Sequence, residues 1–273
     1  MNFTTLCEKL GLDREAIELV QRYDGETANY EALKAGFYRD REALFASVKE
    51  RADYRQFFLY LFVRLAADAR EAYQIRGISD EVYFDTFSDI RIWSEECKRK
   101  YGVYGIEEYM WLQEHVRLAL FRLGRLQFQP LALYREFVSG GRRLAKGQIV
   151  LNVHIAAGEP LDPQSAEASF EQARAFFRGV QPVFVCHSWL LYPGLGEVLG
   201  PDSNIMRFQR MFDIQEIDET SRQAEERIFG ELQDDPSTYE ARTGLQRRAR
   251  DHLAAGGKLG AGAGIYVYGG EFI

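Results

Sequence analysis

The chain has 273 residues, of which 46% are hydrophobic and 27% charged, a composition typical of a folded globular protein. Its formal net charge of -7 argues against nucleic acid as a partner, because contacts with a phosphate backbone need a basic surface. The three cysteines are widely separated, which predicts neither a disulfide framework nor a metal site and favours a reducing, cytoplasmic location.

No targeting or membrane segment is predicted. The first residues, MNFTTLCEKLGLD, lack the basic stretch and apolar run of a signal peptide. The densest apolar run, FFLYLFV at 57–63, is much shorter than the ~20 residues that a membrane helix needs. We therefore expect a cytoplasmic protein without a membrane partner.

Residues 1–120 carry apolar side chains at helical spacing in one segment after another. The strongest pattern covers 53–76, and at 57–63 nearly every side of this helix is apolar. A helix that is apolar all round is usually buried, so we expect it to be the centre of a helical bundle. Other helices are predicted after Asp13, around 28–50, over 79–97 and after the turn at 100–105.

The pattern changes at Gly124. Residues 125–131, RLQFQPL, alternate apolar and polar with a period of two, which predicts a strand. The segment 139–147, SGGRRLAKG, has the composition of a turn. Because this turn separates 125–138 from 148–155, we expect those two segments to pair as antiparallel neighbours.

A strand–turn–helix–strand unit follows. Residues 149–155 are short and rich in β-branched side chains, which predicts a largely buried strand. Asp162 is a good N-cap, and Pro163 suits the first helical position, where a missing N–H costs nothing. The helix is predicted over 163–178, with Gly179 at its C-terminal end, and the next strand over 182–191.

The remaining residues add two strands and several helices. A short helix is predicted over 204–212, a strand in FDIQEIDE, helices over 220–231 and 243–255, and a last strand in GIYVYG. The fold class is therefore α+β. An N-terminal helical domain (1–120) is followed by a domain (121–273) with a mixed, partly antiparallel sheet and flanking helices.

Four segments of the chain carry a family resemblance: LFRLGRLQFQPL, VLNVHIAAGEPLDP, PVFVCHSWLLYPGLGEVLGPDSNIMRFQRMFDI and GGKLGAGAGIYVY. In these segments the chain resembles bacterial acyltransferase-domain proteins, which join a helical N-terminal domain to a C-terminal domain like that of the GNAT acetyltransferases. The resemblance covers nearly the whole chain. It implies a central strand at 149–155, a diphosphate-binding turn at 156–162 and a splayed strand at 182–191, with acyl-CoA wedged between the strands.

The resemblance also implies an activity. The protein would move an acyl group, expected to be acetyl, from acetyl-CoA or another acyl-CoA to an amine on a small molecule or peptide. Direct attack by the amine is expected, because the chain shows no activated nucleophile. The backbone of Ile155, Ala156, Ala157 and Gly158 would hold the pantetheine amide or the thioester carbonyl.

The turn departs from the family pattern. GNAT enzymes usually carry Q/R-x-x-G-x-G/A there, whereas this chain has AAGEPLDP, in which only Gly158 provides bare backbone. Glu159 and Asp162 add negative charge, and an Asp162 cap would occupy N–H groups that a phosphate needs. The alternative is a non-catalytic GNAT-like binding or regulatory module that has lost its cofactor turn. Positive charge for a diphosphate would then have to come from elsewhere, and the candidates are Arg142, Arg143, Lys146 and Lys258.

Three side chains are candidates for proton transfer. His154 and His187 lie on the two strands of the central unit, and either can act as a general base. We favour His187, which we expect to be buried beside Trp189. Tyr192 is a candidate general acid for the leaving thiolate. The structural alternatives are strand histidines satisfied by one hydrogen bond, and a tyrosine at the sheet margin with a hydrated hydroxyl.

Two apparent motifs are not expected to act. Cys186 and Ser188 flank His187, but successive strand residues point to opposite faces, so neither forms a pair with it. The run GAGAG at 260–264 precedes no helix and therefore lacks the context of a phosphate loop. Close backbone packing is the expected reason for its glycines.

Overall fold

The computed structural model describes residues 2–269 and divides into two compact units, Met1–Leu123 and Gly124–Ile273. The boundary predicted from the sequence lies near residue 120. Helices make up most of the first unit, and a mixed sheet with flanking helices forms the second. The predicted α+β class is confirmed.

The first unit is a succession of helices. They are α1 (Phe3–Lys9), α2 (Arg14–Glu26), α3 (Tyr30–Arg39), α4 (Arg41–Lys49), α5 (Tyr54–Ile75), α6 (Asp80–Phe87), α7 (Asp89–Tyr101) and α8 (Tyr109–Val116), followed by a short strand β1 (Phe121–Leu123). The single helix predicted over 79–97 is wrong, because α6 and α7 are separated at Ser88. The hydroxyl of Ser88 donates to the carbonyl of Asp85 at 2.6 Å, a local bond that competes with helix continuation.

Helix α5 is the centre of the first unit, as predicted. Every residue from Phe57 to Val63 is at most 5% exposed. The Phe58 ring stacks on Tyr109 of α8 at 4.5 Å between centroids and meets Phe45 of α4 edge-on at 5.5 Å. Within residues 2–269, neither α5 nor any other helix has both the length and the apolar character to cross a membrane.

The second unit contains the remaining elements. They are β2 (Leu126–Ala132), β3 (Phe137–Ser139), β4 (Arg142–Leu144), β5 (Ile149–Ile155), α9 (Pro163–Phe176), β6 (Val183–Ser188), α10 (Asn204–Gln209), β7 (Asp213–Asp218), α11 (Gln223–Phe229), α12 (Gly244–Ala254) and β8 (Ala261–Val267). Its strands follow the order β2-β5-β6-β8-β7, in which β5 and β6 are parallel and the other neighbours antiparallel.

The antiparallel pairing predicted around the 139–147 turn is confirmed for β2 and β5. The turn itself is more structured than expected, because β3 and β4 form a small hairpin within and beside it. We call residues 133–147 the strap. Its apolar side chains, Leu133, Phe137 and Leu144, pack on Val150, Val183 and Ile265 of the sheet. The strap therefore covers part of one face, which we call the strap face.

Helix α9 covers the opposite face of the sheet. The Phe170 ring lies 4.7 Å from that of Phe184 and 4.9 Å from that of Tyr266, both in edge-to-face geometry. Gly264 permits this packing on β8, because a Cβ there would lie 2.9 Å from the Cβ of Phe212. Close packing was the expected reason for glycines in this run. The α9 face is thus a closed aromatic core.

The pairing between β5 and β6 is incomplete. These parallel strands are in register only at Leu151–Phe184 and Asn152–Val185. Beyond those pairs, β5 continues to Ile155 and β6 to Ser188 without pairing to each other. By contrast, β6 pairs with β8 along its whole length. The two central strands therefore diverge, and we call the opening between their carboxyl ends the wedge.

The core position of α5 yields a stability prediction. Phe58→Ala removes a fully buried ring and should lower the free energy of unfolding by about 3–5 kcal/mol. Ile75→Ala, on the same helix, alters a side chain that is 79% exposed. This substitution should change the free energy of unfolding by less than about 0.5 kcal/mol. Urea denaturation of both variants measures the difference, and equal losses would contradict the central position of α5.

Candidate active site

The wedge lies between the two candidate bases. Asn152 and Val185 are opposite each other in the parallel register and share the strap face. His154 and His187 lie two residues further along their strands, so both side chains project from that same face. The structure therefore brings the two histidines to opposite sides of the opening, one on each diverging strand.

His154 belongs to a polar network. Its Nε2 lies 3.1 Å from Nδ2 of Asn152 and 3.3 Å from Oε1 of Gln129 on β2, and the side chain is half-buried. Nε2 accepts from the Asn152 amide in one tautomer of the ring and donates to the Gln129 oxygen in the other, so it has a hydrogen-bond partner in either form. This environment matches the structural alternative for His154, a strand histidine held by hydrogen bonds.

His187 has a different environment. Its side chain is exposed, and no hydrogen bond to its ring occurs within residues 2–269. The expectation that it would be buried is wrong for two reasons. Its partner on β8 is the small Ala263, and the apolar contacts of the strap end at the level of Val185. The ring of His187 is therefore exposed near the carboxyl end of β6, beside the wedge.

Glu216 on β7 lies in the same row of the sheet as His187. Ala263 pairs with His187 on one side and with Glu216 on the other. Oε1 of Glu216 accepts hydrogen bonds from the Tyr134 hydroxyl and from Nη2 of Arg135, each at 2.5 Å. Those two donors, and more weakly His187, hold the pKa of Glu216 below its usual range. Sequence reasoning missed this residue, because only the strand register shows its position.

The turn after β5 contains the predicted cofactor-binding residues. Ile155 is half-buried and Ala156 buried, whereas Ala157 and Gly158 are exposed. Gly158 has a φ of +92°, a conformation that side-chain-bearing residues rarely adopt. A buried residue not predicted from the sequence, Arg125, fixes the rest of the turn.

The guanidinium of Arg125 donates to two backbone carbonyls of the turn. Its Nη2 lies 2.6 Å from the Glu159 oxygen, and its Nε lies 2.9 Å from the Pro160 oxygen. The backbone N–H of Arg125 also donates to the Ser169 hydroxyl of α9 at 2.8 Å. Arg125 thus joins β2, the turn and α9. A lone arginine before a strand carries no sequence signal for this role.

The predicted N-cap of α9 is confirmed. Oδ2 of Asp162 accepts from both the backbone N–H and the hydroxyl of Ser165, each at 2.9 Å. The Ser165 N–H and hydroxyl hold the pKa of Asp162 below its usual range. The carboxylate therefore occupies an N–H group that a bound phosphate would use. The helix ends at Phe176 and not at residue 178, and its C-cap is Phe177, not the predicted Gly179.

A groove of about 600 Å³ runs beside this turn. It is lined by Gly124, Arg125, Glu159, Pro160, Asp162, Ser165, Ala168 and Gln172. The four cationic side chains suggested from the sequence do not line it. Arg143 pairs with Glu136 at 2.7 Å and Lys258 with Glu219 at 2.5 Å, while Arg142 and Lys146 are exposed on the strap.

Tyr192 does not project from β6. The predicted strand over 182–191 is too long, because β6 ends at Ser188 and a 3-10 turn follows. The Ser188 hydroxyl accepts from the Leu190 N–H at 3.2 Å, and the Trp189 N–H donates to Gln223 at 2.7 Å, which turns the chain. The Tyr192 ring is 8% exposed in an apolar cluster with Leu195 and Val198, so it is not at a hydrated margin.

Cys186 lies on the α9 face, opposite to His187, as the strand alternation predicts. Burial raises the pKa of its thiol to about 12. Cys7 and Cys97 are also buried, and burial raises each pKa to about 11. In the part of the chain that the structure describes, no three His, Cys, Asp or Glu side chains form a group able to hold a metal ion.

Comparisons with known proteins agree with this architecture. A family profile for a GNAT-like C-terminal domain matches residues 120–266, and one for an N-acyltransferase N-terminal domain matches residues 1–118. No curated protein sequence matched the chain.

Solved structures with a similar fold include two crystal structures of acyltransferases. One is an acyltransferase in complex with decanoyl-CoA and teicoplanin, with a TM-score of 0.75. Another is an acyltransferase mutant in complex with octanoyl-CoA, with a TM-score of 0.76. Each is 24% identical to this chain, and each alignment covers 96% of this chain and 86% of the other. The likeness is one of fold.

Burial of the thiols yields a reactivity prediction. Reaction of Cys186, Cys7 and Cys97 with a disulfide reagent at pH 8 should be at least ~10²-fold slower in the folded protein than in urea, because the thiolate is the reacting form. Thiol titration with and without urea measures this, and all three should react in urea. Rapid reaction of one thiol in the folded protein would contradict the buried assignment.

Proposed function

The chain belongs to the family defined by the GNAT-like C-terminal domain, and from that membership we propose that it transfers an acyl group from acyl-CoA to an amine. The observation that carries the proposal is the wedge. Beyond Asn152, the edge of β5 that faces β6 has no strand partner within residues 2–269. Backbone N–H and C=O groups require partners, and the amides of a pantetheine arm can supply them. The backbone from Ile155 to Gly158 would continue this contact.

The donor is proposed to carry a longer acyl chain than the acetyl group expected from sequence. The similar solved acyltransferases hold octanoyl-CoA or decanoyl-CoA. Each additional buried methylene adds about 0.8 kcal/mol to binding, so a long acyl chain increases the affinity of the donor if it is buried against apolar protein surface. Val185, half-buried at the start of the wedge, provides such surface.

Proton transfer is assigned to His187. An amine acceptor arrives as an ammonium ion and must lose a proton before attack. The ring of His187 accepts that proton, and the nitrogen then forms a C–N bond to the thioester carbon. The C–S bond breaks, the coenzyme A thiolate takes up the second amine proton, and one proton is released to solvent overall. His154, held by Asn152, would orient the donor across the wedge.

A second function is favoured by one observation. Asp162 occupies the N–H of Ser165, and Glu159 adds negative charge beside it, so the turn offers little to a diphosphate. These features support a binding module that retains the GNAT-like sheet without its cofactor. One titration decides between the two functions.

Calorimetric titration with coenzyme A, acetyl-CoA, octanoyl-CoA and decanoyl-CoA tests the donor. The enzyme proposal expects binding by all four, with affinity rising from acetyl-CoA to decanoyl-CoA because of the buried methylenes. Absence of binding at millimolar concentration would leave the binding module as the function. Equal affinity for acetyl-CoA and decanoyl-CoA would reject only the proposal of a long acyl chain and would leave acyl transfer intact.

Replacement of the base tests the mechanism. His187→Gln should leave the affinity for decanoyl-CoA unchanged and lower turnover by ~10²-fold or more, the scale of general-base loss. The matched control is His252→Gln on α12, whose ring contacts the Lys258 carbonyl and not the wedge. Unchanged turnover in the His187 variant, measured by thiol release with an amine acceptor, would transfer the role to His154.

A further inference from the structure

A bulge in β7 decides which of its side chains faces His187. Ile214 pairs with Gly264, and the next pair joins Ala263 to Glu216, so that Gln215 is an extra residue. The extra residue reverses the side-chain alternation of the strand, and Glu216 consequently shares the strap face with His187. Bulges often re-aim a side chain beside an active site, so the position of Glu216 requires an explanation.

The space between Glu216 and His187 is open. Ala263 pairs with both residues, and directly opposed Cβ atoms in antiparallel strands are about 5 Å apart, so the two outer Cβ atoms are about 10 Å apart. In this row of the sheet the residue between them is Ala263, which has only a methyl side chain and is itself partly exposed. A small group can therefore contact the imidazole and the carboxylate at the same time.

The Glu216 carboxylate has one oxygen available. The Tyr134 hydroxyl and the Arg135 guanidinium both donate to Oε1. Within residues 2–269, no hydrogen bond reaches Oε2. Tyr134, Arg135 and His187 lower the pKa of Glu216, so the group is ionised at neutral pH. An ionised carboxylate only accepts hydrogen bonds, so Oε2 is suited to a cationic donor.

We propose that Oε2 of Glu216 binds the ammonium group of the acceptor and presents it to His187. The inference rests on the proposed acyl transfer and names the acceptor class: a primary amine that is protonated in solution. The ammonium group has three donors, of which one reaches Glu216 and another reaches His187. After His187 takes its proton, the neutral amine must turn its lone pair from the ring of His187 to the thioester carbon in the wedge. Glu216 would thereby select amines over alcohols of the same shape.

Glu216 also anchors the strap through Tyr134 and Arg135, and this second contact must be separated from ammonium binding. Glu216→Gln removes the charge. The double variant Tyr134→Phe, Arg135→Gln removes both strap contacts and keeps the carboxylate. Glu171→Gln on α9 is the control for charge, because Glu171 pairs with Arg174 on the other side of the sheet.

The test uses benzylamine and benzyl alcohol as probes of the full chain saturated with coenzyme A, with dissociation constants from ligand-observed NMR. The parent, the Glu171 variant and the double variant should bind benzylamine about tenfold more tightly than benzyl alcohol, as expected for a charge-assisted hydrogen bond. Glu216→Gln should abolish that preference without weakening benzyl alcohol. No preference in the parent, or its retention in Glu216→Gln, would overturn the proposal. Loss of the amine preference in the double variant would also overturn the proposal, and Glu216 would then serve only to anchor the strap.

Titration of decanoyl-CoA into the same four proteins separates this proposal from the donor proposal. Equal affinity in all four, together with loss of the amine preference in Glu216→Gln, supports both. A parent that binds no acyl-CoA but prefers benzylamine would overturn acyl transfer and keep the ammonium site. Loss of decanoyl-CoA binding in Glu216→Gln alone would overturn the acceptor assignment, because the carboxylate would then act on the donor.

Discussion

The incomplete pairing of β5 with β6 is the constraint on which the proposed site depends. A sheet gains its stability from backbone hydrogen bonds between strands, and where two neighbouring strands diverge that strand-to-strand pairing is lost. In this chain the two parallel strands share register at only two residue pairs. The opening determines the proposed roles of both histidines, of the turn at Gly158 and of Glu216, because each role depends on where the residue lies relative to it.

The surrounding structure keeps the opening in place. On one face, the rings of Phe170, Phe184 and Tyr266 form a closed core that fixes β6 and β8 against α9. On the other face, the apolar side chains of the strap pack over the start of the strands and reach no further than Val185. Arg125 holds the turn after β5 through two carbonyls. The wedge is therefore bordered by rigid elements, which a site that orients two substrates requires.

Local signals explain what the sequence could predict. The bounds of β5 and the start of α9 follow from β-branched residues, the Asp162 cap and Pro163, all within one stretch of chain. The central position of α5 follows from its continuous apolar run. Other features depend on distant residues: the end of β6 needs Gln223, and the exposure of His187 depends on Ala263. The role of Glu216 depends on a bulge, whose presence alternation alone does not indicate.

Amide hydrogen exchange with and without decanoyl-CoA tests the wedge most directly. If the pantetheine arm fills the edge of β5 that faces β6, the amides between Val153 and Gly158 that do not pair with β2 should become protected on binding. The amides between β6 and β8, already paired along the strand, should change little. Protection confined to residues outside the wedge, with Val153 to Gly158 unchanged, would contradict the account.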